Sequence, residues 1–242
     1  MKNVGSDSGQ WRAIYRTGGA AALGAVLVGV LEIAITFLPG GNAPHETVLD
    51  WFRLFQENWF LGLRNLGLLN IFLNALGVLT YFALCAAHRE SPYRPYAALA
   101  ALIFFLGAGV FFADNRAFAM LALSRQYAAA SSEAQRAMLE AAGQSMLSVG
   151  ASHSPGTFLG FFLLEAAGIM ISLVMLRSQV FGKAAAYAGL FGFGVLLIFE
   201  YLSSFVSGLS GAAMALAMLG GLASMAWYIL VARTLFRLAG TR

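Results

Sequence analysis

The chain has 242 residues, of which 60% are hydrophobic and 11% are charged, and its formal net charge at pH 7 is +4. With a mean hydropathy of +0.74, this composition is typical of an integral membrane protein and argues against a soluble domain. The basic residues flank apolar segments and form no polar surface of their own, so the positive charge indicates membrane topology and not nucleic-acid binding. The single cysteine, Cys85, excludes an internal disulfide and a cysteine-rich metal motif.

Six apolar segments are long enough to cross a bilayer, which needs about 20 apolar residues. The first of them is longer than the apolar core of a signal peptide and contains Glu32, so we expect it to be retained as a span. The predicted spans are residues 19–38, 61–87, 96–113, 157–176, 184–206 and 212–232. The predicted fold class is therefore all-α, a polytopic bundle of six transmembrane helices that forms a single domain over residues 1–242.

An even number of spans places both termini on the same side of the membrane. Under this arrangement ten of the 15 lysines and arginines lie on the side of the termini and five on the other side. Cytoplasmic loops carry an excess of Lys and Arg. We therefore expect a multi-pass membrane protein with both termini in the cytoplasm.

Two segments on the opposite side are predicted to form short extracytoplasmic amphipathic helices. In residues 48–60, Asp50, Arg53 and Glu57 share one helical face, while aromatic residues lie largely on the other. Residues 132–147 begin with a serine-initiated capping pattern and have high helix propensity. The first segment is expected to lie in the interface and lead into the second span, and the second to cap the bundle.

Three glutamates interrupt predicted spans: Glu32 the first, Glu165 the fourth and Glu200 the fifth. Because consecutive spans run in opposite directions, all three fall in the half of the membrane that is remote from the termini. An ionised residue at the centre of a transmembrane helix costs about 2.5 to 3.5 kcal/mol on insertion scales. We therefore expect these side chains to face the bundle interior, where they are protonated, paired or hydrated.

Polar and small residues recur every three or four positions along the second predicted span, which places them on one helical face. More polar residues follow at the outer end of the third span. We therefore predict an outward-facing polar pocket in which arginines orient carboxylates and Glu200 is the main proton- or ligand-binding group. The predicted members are Glu32, Arg64, Asn70, Asn74, Asp114, Arg116, Glu165 and Glu200. The alternative is a hydrogen-bonded network that only fixes helix register.

Catalytic motifs are incomplete in this sequence. Of the three histidines, His45 and His153 are predicted on the outer side and His88 on the inner side, so the three cannot meet at one metal. The pair His45 and Glu46 begins like a zinc-protease motif, but Leu49 occupies the position of the second histidine. A mixed site of His45, His153 and a glutamate stays open as the weaker metal hypothesis. No cofactor is expected, and no catalytic residue is assigned.

Three stretches of the sequence carry a resemblance to a known family: VLDWFRLFQENWFLGLRNLGLLN, NRAFAMLALSRQYAAASSEAQRAMLEAAG and GTFLGFFLLEAAGIMISLVMLRSQVFGKAAAYAGL. In these stretches and in the spacing of its six spans, the chain resembles a family of bacterial six-span membrane proteins known as a domain of unknown function. The resemblance covers most of the chain. It implies a six-helix inner-membrane protein and supplies no activity and no catalytic residue.

Three functions follow as hypotheses. The first is the binding or proton-linked movement of a small or lipid-like molecule at the outward-facing pocket. The alternatives are an intramembrane enzyme, either lipid-modifying or metal-dependent and hydrolytic, and a structural or interaction protein with a purely stabilising network. The expected partners are membrane lipids and such a ligand, without nucleic acid. Small residues on one face of the last span permit a homodimer and equally permit packing within the chain.

Overall fold

The computed structural model describes residues 4–36, 45–149 and 152–240, which form helices and loops and contain no strand. The helices are α1 Val4–Thr36, α2 Val48–Glu57, α3 Trp59–Asn65, α4 Leu68–Ala87, α5 Arg94–Asp114, α6 Ala117–Ala129, α7 Glu133–Leu147, α8 Phe158–Ser178, α9 Lys183–Phe205 and α10 Ser210–Gly240. The six that are long and apolar enough to cross a membrane are α1, α4, α5, α8, α9 and α10. The predicted all-α, six-span fold is confirmed.

The six long helices form a closed ring in chain order. Each packs against the next, and α10 returns to pack against α1. Short connections join α4 to α5, α8 to α9 and α9 to α10, so these neighbours are antiparallel. We call the end of the ring where α1 begins and α10 ends the terminal end. The opposite end, which carries α2, α3, α6 and α7, is the capped end.

Small residues bring α9 and α10 close together. A Cβ at Gly192 would lie 2.8 Å from the backbone nitrogen of Ser224, and one at Gly220 would lie 3.1 Å from the carbonyl oxygen of Gly192. The small-residue face of α10 therefore packs within the chain, as helix pairs in membranes commonly do. A homodimer stays a prediction.

The centre of the ring is filled by aromatic side chains from four helices. Tyr81 stacks on Phe104 with 4.0 Å between ring centroids, and Trp227 meets the Phe193 ring edge-on at 5.0 Å. Trp227 is fully buried and also contacts the ring of Tyr228. We call these five residues the aromatic plug. Because Phe104 and Phe193 lie at the middle of α5 and α9, the plug divides the interior into a terminal half and a capped half.

The short helices form a second hydrophobic core at the capped end. Trp51, Phe52 and Phe55 of α2 are buried there together with Met120 of α6. The hydroxyl of Ser124 donates a hydrogen bond to the carbonyl oxygen of Phe52 at 2.8 Å. The aromatic face of residues 48–60, predicted to lie in the membrane interface, is instead largely buried inside the protein against α6.

The second capping helix is confirmed. It begins at Glu133, one residue after the predicted start, and ends at the predicted Leu147. Its N-cap is Ser132, whose hydroxyl accepts a hydrogen bond from the backbone N–H of Gln135 at 3.2 Å. The serine that begins the predicted capping pattern is therefore the N-cap of this helix.

The predicted boundaries of the first external helix and the second span need correction. Asn58 leaves the helical conformation, and its side chain accepts from the N–H of Leu61, so residues 48–60 divide between α2 and α3. Gly67 has a φ of +93°, which glycine adopts without steric cost, so the span predicted at 61–87 begins only at Leu68. Arg64 therefore lies on α3, outside the helix that carries Asn70 and Asn74.

Two further helical stretches differ from the predicted boundaries. α1 begins at Val4 and α10 continues to Gly240, both beyond the apolar segments, because a helix can extend past the membrane with polar residues. α6 was not predicted. Asn115 has an extended backbone that ends α5, and its side-chain oxygen accepts from the N–H of Ala117 at the start of α6.

Candidate functional site

The inward face of α9 carries a carboxylic acid in the capped half. Phe193, Glu200 and Ser204 are buried on this face. Glu200 lies seven residues beyond Phe193, which is about 10 Å closer to the capped end at 1.5 Å per residue. Glu200 is 1% exposed, and the hydroxyl of Ser204 donates to its Oε1 at 3.3 Å. The most deeply buried acid of the capped half therefore has a partner on its own helix.

The second partner of Glu200 is His153, from the loop that leads into α8. His153 Nδ1 lies 2.5 Å from Glu200 Oε2, a short contact of the kind formed when one partner is charged. The imidazole packs against the rings of Phe161 and Phe199, with centroids 4.3 and 4.7 Å away. A third of the His153 side chain is exposed, compared with 2% of that of Glu200. The histidine thus connects a buried carboxyl to the outside of the protein.

The backbone of His153 is also unusual, with a φ of +63°. A non-glycine residue in the left-handed region costs free energy and persists where the surroundings fix it. The contacts of the ring with Glu200 and two phenylalanines supply that fixation.

Glu165 lies on the part of α8 that belongs to the capped half. One turn away on the same helix, Gly168 packs against Phe193 so closely that a Cβ would lie 2.3 Å from the ring. Glu165 lies within electrostatic range of Glu200 and of Tyr81 and Tyr228 of the plug. We call Glu165, Glu200 and His153 the carboxyl cluster.

Three buried polar atoms around the plug lack a hydrogen-bond partner within the described residues. They are Glu165 Oε2, the Tyr81 hydroxyl and the indole nitrogen of Trp227. Buried polar groups are nearly always hydrogen-bonded, and leaving one unpartnered in an apolar interior costs free energy. The junction between the plug and the carboxyl cluster is therefore the least satisfied polar region of the described interior.

Glu32 of α1 and Arg64 of α3 form an ion pair in the capped half. Arg64 Nη2 lies 2.8 Å from Glu32 Oε1 and 3.1 Å from the backbone oxygen of Glu32. The guanidinium also donates to Thr36 and to the side-chain oxygen of Asn65. Arg64 therefore ties α3 to the end of α1, and electrostatic interaction with His153 links Glu32 to the carboxyl cluster.

The other predicted pocket members make local contacts of their own. Asn74 donates to the carbonyl oxygen of Asn70 on its own helix at 2.9 Å. Asp114 and Arg116 form a long ion pair of 3.9 Å, and Arg116 also donates to the carbonyl oxygen of Ala113. Asp114 and Arg116 line a cavity of about 30 Å³ at the end of α5, which is room for one or two water molecules. The structure thus pairs Glu32 with Arg64, Asp114 with Arg116, and Glu200 with His153. Ser152, the neighbour of His153 in sequence, also lines the cavity at the end of α5.

The two histidines considered for a metal site, His45 and His153, have different surroundings. His45 packs against the ring of Trp51 at 4.9 Å, while His153 contacts Glu200. Among the residues that the structure describes, no three histidine, cysteine, aspartate or glutamate side chains are grouped so that they can hold a metal ion. The partnership of His153 with Glu200 was not predicted from the sequence.

The fold and this interior define a multi-pass helical membrane protein whose capped half holds an ionisable cluster. Compared with protein-family models, with curated proteins and with solved structures, the chain gives no match. The resemblance to a six-span family of unknown function therefore stays a prediction.

Proposed function

We propose that the protein binds a small or lipid-like molecule from its capped end and couples this binding to proton exchange at the carboxyl cluster. The observation that carries the proposal is the 2.5 Å contact between His153 and Glu200, since it joins a partly exposed titratable group to a buried carboxyl inside a spanning helix. Intramembrane carboxyls of this kind commonly mark proton relays and ligand pathways.

Proton exchange follows from the chemistry of the three groups. The side chain of His153 is one-third exposed, so an imidazole that can carry a proton is accessible from outside the bundle. Glu165 lies within electrostatic range of Glu200, and two neighbouring carboxyls disfavour double ionisation, so the proposal gives the pair one shared proton. His153 is placed to pass that proton between Glu200 and water.

The orientation and membrane are part of the proposal. The lysine and arginine distribution favours cytoplasmic termini, so the capped end faces away from the cytoplasm. On the same grounds, and in line with the resemblance, we place the protein in a bacterial inner membrane. The ligand then enters from the extracytoplasmic side, beneath α2 and α7.

A stabilising network is the second candidate, and the hydrogen bonds of Arg64 favour it for one part of the site. Arg64 donates to Glu32, Thr36 and Asn65 and is 7% exposed. We assign the Glu32 and Arg64 pair to stability and the carboxyl cluster to binding.

Native mass spectrometry of gently purified protein tests the proposal. The wild type is compared with Glu200→Gln, and Glu133→Gln, at an exposed position of α7, is the matched control. We expect a stoichiometric extra mass on the wild type and the control that is absent from Glu200→Gln. Equal retention by all three folded proteins, or a bare chain in all three, contradicts ligand binding at the cluster and favours the stabilising network.

A further inference from the structure

We propose that the terminal end of the protein binds the headgroup of an anionic phospholipid at Arg89, in the loop between α4 and α5. This site lies at the opposite end of the ring from the carboxyl cluster, so the inference goes beyond the proposed function and does not depend on it. Its two supports are the separation of charge between the two ends and the way in which Arg89 is held.

Charge is divided unevenly between the two ends of the molecule. By sequence, the terminal side has ten lysines and arginines and two acids, Asp7 and Glu90, which leaves a net charge of +8. The other side, together with the capped half of the spans, has five arginines and nine acids, which leaves a net charge of −4. Anionic lipids attract basic residues next to the membrane. The terminal end therefore attracts anionic lipid, whereas the capped end repels it.

Aromatic residues mark the level of the lipid headgroups around Arg89. Arg89 lies two residues after Ala87, where the second candidate span ends. Trp11 lies near the start of the first candidate span, and Tyr96, in the first turn of α5, is 56% exposed. Tryptophan and tyrosine are enriched where the bilayer meets water. Arg89 is therefore at the depth at which a lipid phosphate lies.

Arg89 is held in place by the backbone of its loop and by an aromatic ring. Its N–H donates to the carbonyl oxygen of Ala86 at 3.2 Å, and the N–H of Ser91 donates to that of His88 at 2.9 Å. Its guanidinium carbon lies 4.5 Å from the centroid of the Trp11 ring, which is an attractive cation–π contact. Because the side chain is already ordered, less conformational entropy is lost when it binds an anion.

The hydrogen-bond donors of Arg89 are only partly used. A guanidinium has five N–H donors, but its Nε and Nη2 share a single acceptor, Oε1 of Glu90, at 3.2 and 3.1 Å. Nη1 is buried and has no hydrogen-bond partner within the described residues. The Glu90 side chain is 84% exposed, and an exposed ion pair of this kind contributes little free energy. A phosphodiester offers two oxygens in the geometry that arginine prefers, so it can replace Glu90.

A lipid fits this site better than a soluble anion. Free phosphate can form the same hydrogen bonds, but a lipid also covers apolar side chains of the neighbouring spans with its acyl chains. Phe82 of α4 and Leu99 of α5, both close to the terminal end, are 53% and 44% exposed. The ligand class is therefore a membrane lipid with a negatively charged phosphodiester headgroup.

Native mass spectrometry of the full chain in detergent micelles, titrated with phosphatidylglycerol, tests this inference. The dissociation constant of the first bound lipid is compared with that of phosphatidylcholine carrying the same acyl chains. The titration is repeated with an excess of inorganic phosphate. We expect phosphatidylglycerol to bind at least about tenfold more tightly than phosphatidylcholine, because only its headgroup carries net negative charge, and to stay bound in phosphate. Equal affinity for the two lipids, or displacement by inorganic phosphate, overturns the inference.

Three variants locate the site. Arg89→Gln should weaken the binding of phosphatidylglycerol at least about tenfold, since hydrogen bonds to a charged group are lost. Arg237→Gln, which removes the same charge from an exposed position at the same end, should weaken it at most about fivefold. Glu90→Gln should strengthen binding about fivefold by removing the competing carboxylate.

Equal losses in Arg89→Gln and Arg237→Gln would show a general attraction without a site at Arg89, and the inference is then wrong. Unchanged or weaker binding by Glu90→Gln also contradicts it, and this exposed substitution decides the question if Arg89→Gln does not fold. Glu200→Gln should bind phosphatidylglycerol like the wild type, which separates this test from that of the carboxyl cluster.

Discussion

Polar side chains on the two sides of the aromatic plug are held in different ways. In the terminal half, the fully buried His88 contacts the carbonyl oxygen of Leu84 at 2.8 Å and the hydroxyl of Ser178 at 3.0 Å. Tyr15 donates to the carbonyl oxygen of Ala86. In the capped half, by contrast, Glu165 has an unpartnered oxygen and Glu200 depends on a loop residue. Satisfied polar groups serve stability, so the contrast supports the proposal that binding takes place in the capped half, although one buried nitrogen of Arg89 at the terminal end also lacks a partner within the described residues.

Sequence separation does not distinguish the two halves. The hydroxyls of Ser172 and Thr234 donate to carbonyl oxygens four residues earlier on their own helices. Such bonds form with the helix itself and need no tertiary partner. The contact of His153 with Glu200 joins residues 47 positions apart. The terminal half also has contacts between distant parts of the chain, since His88 with Ser178 and Tyr15 with Ala86 join residues 90 and 71 positions apart.

The largest expected effect is on the tie between α3 and α1. Arg64→Met removes the partner of Glu32 and several hydrogen bonds, and we expect a loss of about 2 to 3 kcal/mol, less than for a fully buried pair because Glu32 is 38% exposed. The apparent melting temperature in detergent measures it. Arg53→Met, at an exposed position of α2, is the control. A melting temperature equal to that of the control would show that the pair contributes nothing to stability.

Packing beside the plug gives the next largest effect. A Cβ at Gly189 would lie 2.1 Å from the Ser172 hydroxyl and 2.6 Å from the ring of Trp227. Gly189→Ala should therefore destabilise the protein by about 1 to 3 kcal/mol through overpacking. Gly194→Ala, on the same helix and with nothing within 4 Å of its Cβ, should be neutral or stabilising. Thermal unfolding of the two variants side by side decides the point, and equal stability would contradict the tight packing.

The smallest expected effect is the pH dependence that His88 gives to the terminal half. Burial of the imidazole lowers the pKa of His88 below its ordinary value of 6.5. The unfolded chain then takes up the proton more readily, so the stability that this group contributes is complete above pH 6.5 and decreases as the pH falls below it. The melting temperature should drop between pH 7.5 and 5.5, and drop less in His88→Gln. The same drop in that variant would assign the effect to other groups.

Hydropathy and caps predicted the fold because each depends on local sequence. Long apolar segments mark the six spans, and the serine at position 132 marks the start of α7. The predicted start of the second span was wrong because of a single glycine. Gly67 adopts a left-handed conformation that no apolar pattern indicates. α6 was not predicted for a similar reason. Asn115 ends α5 and caps the start of α6 within a continuous helical pattern.

The site was predictable only in part. Glu165 and Glu200 could be chosen as site residues because an ionisable side chain in an apolar span costs free energy. The arrangement of His153 could not be derived in the same way. It lies in a loop, and its contact with Glu200 depends on the packing of α8 against α9 and on a positive φ. No periodicity in the sequence encodes that contact.

Infrared difference spectroscopy of the carboxyl stretch, recorded in nanodiscs as the pH is lowered, is the most direct test of proton exchange at the cluster. We predict a protonated-carboxyl band in the wild type that is lost in Glu200→Gln, titrates at a different pH in His153→Gln, and is unchanged in the surface control Glu133→Gln. An identical band in the wild type and Glu200→Gln, with the variant only less stable, would contradict proton exchange and make the cluster a stabilising network.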